Sequence, residues 1–121
     1  MRRAALAWLA GPLAGGCLFG GIPNQIDQED LASTAAPVIC DRLRECTRGD
    51  YELLFFGMKD CRDEQEVAID AVAQVAEDFG CDYDDEGASE ALHEIADMNC
   101  QDFYENEWLA SLDLVWPDCI L

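Results

Sequence analysis

The sequence predicts an all-α fold, a small disulfide-stapled bundle of about four helices that follows a signal peptide. Three observations carry that expectation. Apolar residues recur at the three- and four-residue spacing of helix faces in four stretches. Six cysteines, from Cys40 to Cys119, lie within or just beyond those stretches, and an even number in an exported chain reads as a disulfide framework. The 121 residues, 50% hydrophobic, suit one domain with a core and not a disordered acidic tail.

The chain opens with a basic head, Met1-Arg2-Arg3, an apolar stretch from Ala4 to Ala10, a break at Gly11-Pro12, and Leu13-Ala14-Gly15-Gly16-Cys17. These are the parts of a secretory signal, too short for a membrane span. Small residues directly before a cysteine resemble the lipobox of bacterial lipoproteins, with Ala14 standing where Leu is commonest in that family. The resemblance implies cleavage after residue 16, a diacylglycerol on the Cys17 thiol and acylation of the new amine. Residues 1–16 are thus read as a lipoprotein signal peptide and 17–27 as a tether from lipidated Cys17. Residues 28–121 are read as the helical six-cysteine domain. Leu18 stands where Asp signals inner-membrane retention in that family, which points to the outer membrane. Acyl chains, at ~0.8 kcal/mol per buried methylene, hold a protein to a bilayer almost permanently.

The first helix is expected over 28–47, with Leu31, Ala35, Val38, Ile39, Leu43 and Cys46 on one face. Pro37 lies within it and either kinks the helix or marks the start of a shorter one. Gly49-Asp50 ends the segment, and residues 51–57 form an apolar connector. The second helix is expected over 61–79, with Asp60 as N-cap and Asp63 and Glu64 suiting the dipole of its first turn. Ala68, Ile69, Val72, Val75, Ala76 and Phe79 form its apolar stripe, and Gly80 closes it in the C′ position. The third covers 86–98, with Ala88, Ala91, Leu92 and Ile95 inward. The fourth covers 102–115, with Phe103, Trp108, Leu112 and Val115 inward, and Pro117 closes it.

No two of the six cysteines have the spacing of two to four residues usual in zinc sites. Six cysteines allow fifteen pairings. An up-down bundle narrows them. Helices 1 and 2 run antiparallel, so Cys46 meets Cys61 across the turn. Helix 3 returns Cys100 toward Cys40, and helix 4 brings Cys119 beside Cys81. The expected pairs are therefore Cys46–Cys61, Cys40–Cys100 and Cys81–Cys119. A loop of ~15 residues closed by a disulfide is worth about 3 kcal/mol in the chain-entropy picture.

The run Cys40-Asp41-Arg42-Leu43-Arg44-Glu45-Cys46, after the lipobox and short tether, is similar to small cysteine-rich bacterial lipoproteins. So is Cys81-Asp82-Tyr83-Asp84 followed by Ala88, Leu92 and Ile95. Ala91 stands where those proteins often carry a further cysteine. The resemblance implies an envelope location and a helical fold. Because that family has no established activity, it implies no catalytic residue.

Acids outnumber bases 26 to 7, a formal charge of −19. Loss of Arg2 and Arg3 with the signal would leave 5 bases against 26 acids, or −21. Such a surface repels phosphate backbones and anionic headgroups, so nucleic acid is not an expected partner.

The densest acidic cluster is Glu77, Asp78, Asp82, Asp84, Asp85 and Glu86. Asp82, Asp84 and Glu86, followed by Gly87, match positions one, three, five and six of an EF-hand loop. Position twelve is His93 instead of the bidentate Glu, and position eight is Ser89 instead of an apolar residue. The cluster is read as an acidic N-cap for helix 3, with Asp82, Asp84 and Glu86 as weak candidates for a cation such as calcium. Ser89, His93 and Asp97 share a helix face and are the residue types of a hydrolase triad. A straight line along a helix provides neither the sharp turn nor the oxyanion donors such a serine needs. Phe55, Phe56, Trp108 and Trp116 either cap the ends of the bundle or contact a partner.

The expectation is a lipid-anchored envelope protein that is not an enzyme and needs no cofactor. It would act as a non-catalytic interaction module toward an envelope protein or cationic partner, anchored to the membrane through Cys17. The alternative is a binder of a cation such as calcium, or of a small ligand in the bundle.

Overall fold

The structure, a computed structural model, describes residues 21–47, 57–105 and 110–119. Among these residues the fold is all-α, with no strand. A 3₁₀ turn, Gln28–Asp30, leads into α1 (Leu31–Thr47), followed by α2 (Met58–Asp78), α3 (Asp85–Asp97) and the short α4 (Cys100–Tyr104). A second 3₁₀ turn, Leu112–Leu114, precedes the C-terminal corner. The signal peptide, Cys17, Phe55, Phe56 and Trp108 lie outside the described residues.

Helix α1 is the centre of the packing. It lies along α2 and also touches α3 and α4. The core is built from its Leu31, Ala35, Val38 and Ile39, with Ile69 and Ala76 of α2 and Ala91, Leu92 and Ile95 of α3. Phe103, Val115 and Trp116 close it. The helix continues through Pro37, so a shorter helix starting there is not formed. The proline costs one i→i−4 hydrogen bond, and the buried face of α1 on both sides of it keeps the helix continuous.

Helix α2 begins at Met58, so Asp60 lies in its first turn and is not its N-cap. Its C-terminus follows the expected chemistry. Gly80 has φ +75, its N–H donates to Glu77 O (3.0 Å), and Cys81 N–H donates to Ala76 O (2.9 Å). That is a Schellman closure, in which a left-handed residue at C′ suits glycine. The apolar stripe is only partly buried. Ile69, Val72, Ala73 and Ala76 face the core, whereas Ala68, Val75 and Phe79 are exposed, Phe79 by 74%. Helix α2 packs mainly against α1 alone, and one neighbour covers a narrower arc than the two of a regular bundle.

The expected tether is corrected over its described part. Ile26 is a core residue, 1% exposed. Its N–H donates to Asp85 O (3.1 Å), the Tyr83 hydroxyl donates to Ile26 O (2.5 Å), and Ser89 Oγ donates to Pro23 O (2.6 Å). The packed domain thus begins near Ile22, ahead of the expected boundary at 28.

The fourth helix is also corrected. Helix α4 has an Asn99 N-cap, whose side chain accepts Asp102 N–H (2.8 Å), and it ends at Tyr104 with a turn at Glu105. Leu112–Leu114 is a 3₁₀ turn packed on α3. The expected continuous helix over 102–115 is therefore broken.

Two of the three expected disulfides exchange partners. Cys40 pairs with Cys61 and Cys46 with Cys100, at Cα separations of 6.0 and 5.3 Å. The expected pairs Cys46–Cys61 and Cys40–Cys100 are therefore not formed. Six residues along a helix advance about 9 Å and turn about 240°, so Cys40 and Cys46 face different neighbours. The first turn of α2 lies beside Cys40, and the end of α1 projects past it to meet α4. Cys81 and Cys119 are joined, with a Cα separation of 5.8 Å.

Candidate functional site

Three distant segments meet in an open groove of about 490 Å³. They supply Asp27 and Gln28, then Asp82, Tyr83, Asp84 and Asp85, then Pro117 and Asp118. The Cys81–Cys119 bridge brings the second and third together, and Asp82 N–H donates to both carboxylate oxygens of Asp118 (3.1 and 3.3 Å). Asp84 N–H donates to Val115 O (2.9 Å). The docked segment before α1 supplies Asp27.

Tyr83 forms the floor. It is half-buried, its ring lies edge-on to Trp116 with centroids 6.2 Å apart, and its hydroxyl is spent on Ile26 O. Burial pushes its pKa up to about 12, and the negative charges of Asp85, Asp27, Asp30 and Asp84 push the same way. The phenol therefore stays a neutral donor at physiological pH. Five aspartates surround it, and the described lining contains no Lys or Arg.

The EF-hand-like spacing does not become an EF-hand. Helix α3 begins at Asp85, so most of the twelve-residue stretch is helix and cannot wrap a cation. Asp84 is the N-cap, its Oδ1 accepting Glu86 N–H (3.1 Å) and Gly87 N–H (2.9 Å). The Glu86 carboxylate accepts Gln25 Nε2 (3.2 Å). Among the described residues no three His, Cys, Asp or Glu side chains converge as a metal ion requires, so Asp82, Asp84 and Glu86 are not brought together.

Ser89 and His93 are adjacent, Oγ to Nδ1 at 3.5 Å. The serine hydroxyl is donated to Pro23 O, and His93 Nδ1 donates to the Ser89 carbonyl at 2.9 Å. Ser89 thus holds the N-terminal segment in place and is not presented to solvent. Trp116 is 1% exposed and is a core residue, which agrees with the reading that it closes the end of the bundle and not with the reading that it contacts a partner. The cavity between α1, α2 and α3 measures about 10 Å³, about the room one water needs.

Sequence reasoning missed the contributions of Asp27 and Asp118 to the groove, since nothing local ties residues 27, 82 and 118 together. Comparison with known proteins adds no relative, because no family model, curated protein or solved structure matches this chain.

Proposed function

We propose that this chain is a lipid-anchored protein of the cell envelope, held to the outer membrane through Cys17, whose acidic domain is a non-catalytic interaction module. The groove around Tyr83 takes a basic segment of an envelope protein or another cationic partner. The observation that supports this reading is the gathering of Asp27, Asp82, Asp84, Asp85 and Asp118 about one groove whose described lining has no basic residue. Like charges so placed raise each other's energy, and a cationic side chain entering the groove relieves that repulsion.

Two measurements test the two halves. Intact mass of the native protein from a membrane fraction, with and without reduction, is expected to fit residues 17–121 plus acyl groups and to gain six hydrogens on reduction. A mass without lipid overturns the anchor. Chemical crosslinking in the native envelope, repeated with Asp27→Asn plus Asp85→Asn at equal abundance, tests the groove. The expected result is loss of the crosslinked partner, and an unchanged pattern overturns the proposed docking.

A further inference from the structure

The three disulfides sit in different chemical surroundings. Cys40 and Cys61 are both 0% exposed, so a thiol has no approach to them. Cys81 and Cys119 are partly exposed, but Asp82 and Asp118 flank them, and neighbouring carboxylates disfavour a thiolate. Cys46 and Cys100 are partly exposed too, with the guanidinium of Arg42 lying across them. Arg42 Nη2 is 3.4 Å from Cys46 Sγ and 3.7 Å from Cys100 Sγ. Nη1 pairs with Glu45 Oε1, and Nε is buried without a hydrogen-bond partner among the described residues. The Arg42 side chain is only 13% exposed.

A disulfide sulfur is a weak acceptor, so the Nη2 and Nε donors, which Glu45 does not reach, are poorly matched in the oxidised protein. A thiolate at the same place is a far better partner. The arrangement therefore favours the reduced state and speeds departure of the sulfur beneath the guanidinium. We propose that Cys46–Cys100 is a thiol-exchangeable site, opened by a dithiol with Arg42 stabilising the departing sulfur. One thiolate of the dithiol bonds to Cys100 Sγ. The Cys46–Cys100 bond breaks, and its electron pair stays on Cys46 Sγ as a thiolate beside Arg42. The second thiol gives its proton to solvent and attacks its partner sulfur, releasing Cys100 as a thiolate that takes up a proton. The dithiol becomes a disulfide, and two electrons have entered the protein. Opening this bridge removes the covalent tie between α4 and the end of α1, where the Tyr104 hydroxyl still donates to Cys46 O and Phe103 stays in the core, while the other two bridges stay closed.

The test exposes the oxidised full-length protein to dithiothreitol without denaturant, alkylates it at timed intervals and maps the modified cysteines by mass. Cys46 and Cys100 are expected to label first. Arg42→Gln is expected to slow their opening about threefold or more, leaving Cys81–Cys119 unchanged as an internal control. Glu45→Gln frees the guanidinium of its counter-charge and is expected to speed the same bridge alone. Opening of Cys81–Cys119 first, or of all three bridges together in the unaltered protein, overturns the proposal. If Arg42→Gln loosens the fold and all bridges open at one rate, the Glu45→Gln variant decides, and an unchanged rate there overturns it.

Discussion

The hydroxyl of Tyr83 donates to the carbonyl of Ile26 across 2.5 Å, joining the loop before α3 to the segment before α1. The two residues are 57 positions apart, and the bond fixes one wall of the acidic groove against another. Tyr83→Phe keeps the ring on Trp116 and leaves the Ile26 carbonyl without that donor. The expected cost is about 1–2 kcal/mol in a urea melt. Faster amide exchange at Ile26 would locate the loss in that segment, and unchanged exchange there would refute the placement.

The same hydroxyl predicts a pH dependence. Its folded-state pKa is raised from 10.0 to about 12, so the folded protein favours the neutral phenol. The contribution is fully present below pH 10 and is lost as pH rises toward about 12, where the folded form also ionises. Melting temperature across that window should fall less steeply for Tyr83→Phe than for the unaltered chain.

Gly87 offers a test of close packing. A Cβ at this position would overlap the Leu114 backbone carbonyl. Because the obstacle is main chain, it cannot rotate away. Gly87→Ala is expected to destabilise by about 1–3 kcal/mol, although alanine is the better helix former. A neutral or stabilising result in chemical denaturation would show that α3 and the Leu112–Leu114 turn do not approach so closely.

Asp84 is expected to act as a cap and not as a cation ligand. Asp84→Ala should cost about 1 kcal/mol and Asp84→Asn much less, since asparagine keeps the accepting oxygen. Millimolar calcium should leave the melting temperature unchanged in both the variant and the parent. A calcium-dependent rise that vanishes in Asp84→Asn would restore the cation reading.

A peptide map without reduction separates the bridge patterns directly. Peptides joining Cys40 to Cys61 and Cys46 to Cys100 are expected. Replacing both Cys40 and Cys61 by alanine should cost about 3 kcal/mol by the loop-entropy estimate.

What the sequence made legible was local. Gly80 announces a helix end through chemistry contained within a few residues and stands where it was expected. The acidic cluster likewise announces a helix start, and Asp84 supplies the cap, with the helix beginning at Asp85, one residue ahead of the expected 86. The inward residues of α1 and α3 were equally readable from spacing. The exchange of partners between Cys40 and Cys46 was not, because it depends on how far α1 projects beyond the start of α2, and no local residue encodes that offset. The interruption near Glu105 was hidden for a related reason: the apolar spacing of Phe103, Leu112 and Val115 suits a helix, yet these residues reach the same core through a turn. Asp118 and Asp27 became neighbours of Asp82 only through a disulfide and a docked strand of chain.

The docking of Ile22 to Asp27 also sets a distance. If the lipid is carried by Cys17, only four residues, 18–21, separate it from Ile22, and the five steps between them reach at most about 18 Å when fully extended. A body of this size measures roughly 35 Å across. Such a leash would keep the acidic groove within about 50 Å of the bilayer, so the partner proposed for it would have to reach into that layer.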